Sequence, residues 1–219
     1  PAAVAETVTK ACSLASYAAK DDCAGLADPK RLASSWPDLD LWHPWGISVV
    51  DAIALSLECE AAARAVDTRI SNSEGATVSA AEGISLYANS NGFMGVYPDS
   101  HHSVSCSVIA QEADEMQRDY EYTASRVPGE LRAAAEVGQE AGLRTVQRLG
   151  SRKLDTRNTP VIFPARLARG LFGHLVGAVS GGALYRKSSF LLDSLGTHVL
   201  PEFISITERP HIPRALGSA

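Results

Sequence analysis

The chain has 219 residues, 45% of them hydrophobic and 21% charged, and a formal net charge of −5 at pH 7. That is enough apolar material for a core and fits one large or two small domains. No run of Lys and Arg is long enough to displace counterions from a phosphate backbone, which argues against a nucleic-acid surface. The most apolar stretch, between Arg169 and Arg186, falls short of the roughly 18 residues a membrane span needs, and it reads as a buried core helix.

Ala2 to Ala19 is alanine-rich and predicts a helix. Asp21 to Trp45 is a connector with Pro29, Pro37 and Pro44, and its three tryptophans (Trp36, Trp42, Trp45) imply that part of it is pinned to a core or a partner. Ser48 has the character of a helix N-cap, with Asp51 three residues on. Val49, Ile53 and Leu57, with Ala52 and Ala61 beside them, then predict one apolar face of a helix reaching about Val66.

From Asp67 the period changes. Val104, Cys106, Val108 and Ala110 alternate with Ser103, Ser105, Ser107 and Ile109, the mark of a strand with one apolar face. Met116 to Thr123, Ile84 to Ala88 and Phe93 to Tyr97 suggest further strands, with turn signals at Asn91-Gly92 and Glu112-Ala113-Asp114. The expectation is an antiparallel meander of four or five strands.

Gly129 to Gly150 returns to a helical pattern whose stripe is mostly small (Ala134, Ala135, Gly138, Ala141, Gly142), so that another backbone can approach closely. Val161-Ile162-Phe163 reads as a short buried strand, and Pro164 opens a helix running to about Leu184. Gly170, Gly173, Gly177 and Gly181 line that helix. Each interior glycine costs about 1 kcal/mol relative to alanine, so something is expected to pack on this face at short range. A last strand is expected around Phe203 to Thr207. The chain opens on Pro1 and breaks off after Pro210 and Pro213, which reads as a piece of a longer protein.

The four cysteines, Cys12, Cys23, Cys59 and Cys106, are scattered and read as reduced, buried thiols of a cytoplasmic protein. A helical zinc peptidase site needs two His one turn apart with a Glu beside the first. The six histidines (His43, His101, His102, His174, His198, His211) provide no such pair. His174 reads either as a satisfied core histidine or as a base acting with a nearby serine. Arg186 and Lys187 read either as ligands for a carboxylate or peptide terminus or as charge matched to a helix dipole. No Gly-x-Ser-x-Gly elbow and no phosphate loop is present.

Several strings recur in a known order: Ile70-Ser71-Asn72-Ser73-Glu74-Gly75, Ala88-Asn89-Ser90-Asn91-Gly92-Phe93, Met116-Gln117-Arg118-Asp119-Tyr120, Gly170-Leu171-Phe172-Gly173-His174-Leu175 and Gly181-Gly182-Ala183-Leu184-Tyr185-Arg186-Lys187-Ser188. Together they resemble the TldD/PmbA metallopeptidase family, on the side of its non-metal-binding subunit, over about Cys23 to Ala219. The resemblance implies a cytoplasmic pair. A TldD-like partner carries a His-Glu-x-x-x-His helix and binds zinc, and the other subunit lacks those ligands. Together they cut small or unfolded peptides. With Arg186-Lys187 as anchor, the metal histidines fall on Gly173 and Ala178 and the Glu on His174, so no ligand carries over. His174, Arg186, Lys187 and Ser188 remain as candidates for a peptide-facing or subunit-facing wall.

The resulting expectation is an α+β chain: N-terminal helix and Trp-rich connector over 1–45, helix, antiparallel sheet and helix over 46–157, and the start of a second domain over 158–219. It binds no metal itself, partners a zinc-bearing TldD-like subunit and peptides, and touches neither nucleic acid nor membrane. The alternative is a peptide-binding or regulatory module without a peptidase role, in line with the family's older label, modulator of DNA gyrase.

Overall fold

Helices and an antiparallel sheet share one core in this α+β chain. The structure is a computed structural model that describes residues 2–21 and 24–218; Cys23 lies outside them. Helix α1 (Ala2–Tyr17) buries no residue, and an exposed Glu6–Lys10 ion pair at 2.7 Å spans one turn of it. In the connector, Trp45 packs against the core with its ring 5.5 Å from that of His102. Trp36 has its ring 6.0 Å from that of Phe93, and both Trp36 and Trp42 are about half exposed.

Helix α2 (Val49–Arg64) begins as its sequence predicts. The Ser48 hydroxyl accepts the Asp51 N–H at 3.1 Å and donates to the Asp51 carboxylate at 2.6 Å. Its buried face is not the predicted one. Val49, Ile53 and Leu57 are 76%, 54% and 62% exposed, while Cys59 and Ala63 are sealed. The inward face is chosen by how closely the next helix approaches, and only small side chains fit there.

Among the described residues the sheet has three strands, fewer than expected: β1 (Ile70–Ala88), β2 (Met94–Glu112) and β3 (Glu115–Ser125), antiparallel in that order. The segments Phe93–Tyr97 and Val104–Ala110 belong almost wholly to one 19-residue strand, β2, because the serines and Pro98 between them continue the ladder. Asn89 shapes the first hairpin by accepting Gly92 N–H on its carbonyl and Asn91 N–H on its side chain. Gly92 takes φ +85°, which its missing Cβ permits.

Helix α3 (Ala134–Gln147) lies with α2 on one face of the sheet. Val104, Cys106, Val108 and Ala110 meet Cys59, Ala63, Val137 and Ala141 in the core. A Cβ on Gly138 would stand 2.0 Å from the Cys59 carbonyl oxygen, and one on Gly142 2.6 Å from that of Ala63. The small stripe is thus the contact that lets the two helix backbones touch. Cys59 and Cys106 are buried and free, as expected; Cys12 is exposed, contrary to expectation, because α1 buries no face among the described residues. The hydrogen bond from Cys59 and then burial push the Cys106 thiol up.

The last third departs most from prediction. Val161, Ile162 and Phe163 form no strand and are 63%, 94% and 49% exposed. The expected single helix breaks at Ser180, whose ψ of 139° is extended, into α4 (Ala165–Val179) and α5 (Gly181–Tyr185). Added Cβ atoms on Gly170, Gly173 or Gly177 would meet nothing within 4 Å, so the close packing expected there is not made among the described residues. The apolar face of α4 is exposed, so it is not the buried core helix expected. No strand forms at 203–207. Instead the chain folds back: Arg214 N–H donates to the Leu39 carbonyl, and the buried Arg126 donates to the carbonyls of Ala215, Leu216 and Ser218. No helix among the described residues is long and apolar enough to cross a membrane.

Candidate functional site

The four residues singled out from sequence lie on α4, α5 and the turn after them. His174 is exposed on α4. Arg186 caps α5: its N–H donates to the Gly182 carbonyl at 3.2 Å, and its guanidinium lies over Gly182. Lys187 turns the backbone with φ 55°, and Ser188 returns both its N–H and its hydroxyl to the Ala183 carbonyl. Arg186 to Ser188 therefore close a helix and remain exposed. None of the four lines either of the two main cavities.

The same segment tests whether a metal fits. Gly173 and Ala178 carry no donor atom. Ala178 is buried, with its carbonyl taken by the Ser189 hydroxyl at 2.7 Å. Among the described residues, no three His, Cys, Asp or Glu side chains gather in a way that could hold a metal ion. His102 is sealed in the core, and its Nε2 donates to the His43 carbonyl at 2.8 Å. A carbonyl only accepts, so Nε2 carries the proton. These residues do not fit a zinc site.

A second site, missed from sequence, lies where β3 meets α4. Strand β3 turns its polar residues inward. Asp119, Glu121 and Thr123 are buried while Met116, Tyr120 and Tyr122 are exposed. Arginines of α3, of α4 and of the loop before α3 explain the inversion. Asp119 takes Arg166 at 3.0 Å and Arg148 at 3.4 Å; Glu121 takes Arg132 at 2.7 Å and pairs with Arg144. Burial alone would raise the pKa of Asp119, but the Tyr120 N–H, Arg166 and Arg148 outweigh it and hold the carboxyl below its ordinary value. Burial and the charge of Arg166 pull the Arg144 guanidinium down.

The ladder fixes what β3 offers at its outer edge. Glu112 and Glu115 flank a two-residue turn and form a hydrogen-bonded pair, so the pairs Val108–Asp119 and Cys106–Glu121 are hydrogen-bonded too. The backbone groups of Arg118, Tyr120, Tyr122 and Ala124 therefore point away from β2, toward α4. Two are covered by side chains: Tyr120 N–H by the Asp119 carboxylate at 2.8 Å and the Tyr122 carbonyl by Arg132 at 3.1 Å. Between this edge and the first turns of α4 lies a cleft of about 460 Å³, lined by Tyr120, Tyr122, Arg144, Arg166 and Arg169 among others. Arg166 stands over the Tyr120 ring at 5.9 Å. A strand edge facing a basic helix can pair with an extended chain and attract negative charge. The period-2 polarity of Asp119-Glu121-Thr123 and the i, i+4 spacing of Arg144 and Arg148 were the available signals. A larger cavity of about 820 Å³, mostly apolar, separates the connector at Trp36 to Trp42 from the outer hairpin at Leu86 and Val96.

Comparison with known proteins places this geometry among relatives. The sequence matches the PmbA/TldA metallopeptidase central domain over residues 42–149 and the PmbA/TldA metallopeptidase C-terminal domain over 156–219. It is 46% identical over 218 residues to the Metalloprotease PmbA of Escherichia coli O157:H7, an alignment covering 100% of this chain and 48% of that protein. The chain thus spans about half the length of the curated relatives it matches. Its fold superimposes with a TM-score of 0.86 on a Bacteroides thetaiotaomicron protein named as a modulator of DNA gyrase, at 27% identity, over 93% of this chain and 47% of that one. With TldE from Thermococcus kodakarensis the TM-score is 0.58 at 18% identity, over 86% of this chain and 42% of that one, a likeness of fold alone.

Proposed function

Because the chain belongs to the PmbA/TldD metallopeptidase family, we propose that it acts as the non-metal-binding subunit of a cytoplasmic zinc peptidase, paired with a TldD-like subunit that carries the metal. The observation that carries this reading is local. On α4, Gly173 and Ala178 stand where the resemblance puts metal ligands, and the only imidazole of that helix is the solitary His174. The chain's part is to complete the chamber and hold the peptide. The outward backbone groups of β3 supply a surface for strand addition, a mode in which main-chain hydrogen bonds give affinity and alternate side-chain pockets give selectivity. The exposed face of α4, with His174 and the Arg186–Ser188 turn beyond it, is the surface we assign to the partner.

A second reading, a peptide-binding or regulatory module with no part in proteolysis, draws on the name of the Bacteroides relative. One experiment separates the two. The protein is co-expressed with a metal-bearing homologue, and cleavage of an unfolded peptide is followed with and without it. Co-purification and faster cleavage in its presence are expected. Cleavage that is unchanged by adding the protein rejects the subunit reading and leaves the module.

A further inference from the structure

We infer that the β3–α4 cleft selects peptides carrying a carboxylate, and that Arg169 is the residue that takes it. This inference rests on the peptide-binding reading above. Charge balance around the cleft is its starting point. Arg132, Arg144, Arg148 and Arg166 all reach carboxylates of this chain: Asp119, Glu121 and Glu140. Asp119 and Glu121 each take two of these guanidiniums, and Glu140 takes Arg144. Arg169 lines the same cleft and pairs with no carboxylate among the described residues. The cleft therefore keeps an excess of positive charge in a chain whose net charge is −5.

Position matters as much as charge. Arg169 follows Arg166 by three residues on α4, so the two side chains share one helix face. Arg166 is held at the β3 edge by Asp119 and stands over Tyr120. Arg169, with the same facing and one turn further on, opens onto the space beside that edge. A peptide paired with β3 sends every second side chain to one face of the sheet. An acidic side chain, or a free C-terminus at the end of the pairing, would meet the unpaired guanidinium there. Guanidinium and carboxylate match as bidentate partners, and such charge-assisted bonds are the stronger kind.

The test uses fluorescence anisotropy with the purified protein and one short Val- and Thr-rich peptide in three forms: a free C-terminus, an amidated C-terminus, and an amidated form bearing one Glu. The carboxylate-bearing forms should bind the native protein about tenfold more tightly than the neutral one, the scale of one charge-assisted pair. Arg169→Gln should erase that preference, so that the acidic and neutral forms bind alike. Arg169→Lys should restore part of it. Which acidic form gains decides between a terminal and a side-chain carboxylate. Equal binding of all three forms by the native protein, or an acid preference that survives Arg169→Gln, overturns the inference and leaves peptide binding standing. Binding of none of the three overturns the peptide-binding reading and this inference with it.

Discussion

Asp119 accepts the N–H of its own neighbour Tyr120 at 2.8 Å, and the same carboxylate oxygen receives Arg166 of α4 at 3.0 Å. One buried acid thus satisfies an edge amide of the sheet and ties down the helix that faces it. Native sheets commonly protect free edges with charge, and here the protection is a hydrogen bond. Strand addition at Tyr120 must displace this carboxylate. At Tyr120 the edge is therefore closed at rest, and on the proposed reading a competing chain opens it.

Asp119→Ala should cost about 1–3 kcal/mol in urea denaturation, since it leaves Tyr120 N–H and two guanidiniums without their acceptor. The pH dependence has a definite sign. The folded carboxyl sits below its ordinary value of 3.8, so its contribution is complete above that value and is lost as pH falls through the lower, folded one. Native protein should lose this increment only in strongly acidic solution, and the Asp119→Ala variant should show a correspondingly flatter acid limb.

Gly138 and Gly173 should respond oppositely to alanine. At Gly138 the new Cβ collides with the Cys59 carbonyl, and α2 and α3 must part. A loss of about 3 kcal/mol or more in thermal unfolding is expected, at the upper end for overpacking. At Gly173 no atom lies within 4 Å, and alanine should gain up to about 1 kcal/mol through helix propensity.

Arg126 should hold the C-terminal segment in place. It is 7% exposed, and it donates to the carbonyls of Ser100, Ala215, Leu216 and Ser218. Arg126→Ala strands those acceptors at a cost of at least about 2 kcal/mol. Hydrogen exchange across residues 212–218 should accelerate while α3 stays protected. Unchanged exchange there would mean that Arg214, through its ion pair with Asp40 at 2.6 Å and its N–H bond to the Leu39 carbonyl, carries the attachment without Arg126.

What the sequence disclosed was local. The Ser48 cap, the Asn91-Gly92 turn and the small stripe at Gly138 each declare themselves within a few residues, and each is present. What depended on distant partners was misjudged. Val49, Ile53 and Leu57 are more apolar than Cys59 and Ala63, yet the contact with α3 demands smallness, so the lesser hydrophobes face inward. The pairing of Asp119 and Glu121 was not legible because the arginines that neutralise them come from three separate places: Arg132 before α3, Arg144 and Arg148 at its end, and Arg166 on α4. Among the described residues, α4 finds no cover for its glycines, and Val161 to Phe163 find none for their side chains. Their apolar patterns were read as buried, and among the described residues most of these side chains are exposed.

Zinc analysis of the purified protein tests the central claim most directly. After exposure to zinc and dialysis, the chain alone should retain no stoichiometric metal, because Gly173 and Ala178 provide no ligand atoms on α4. The triple variant Gly173→His, His174→Glu, Ala178→His, which restores the ligand spacing, should gain it. Stoichiometric, tightly held zinc on the native chain by itself would contradict the account.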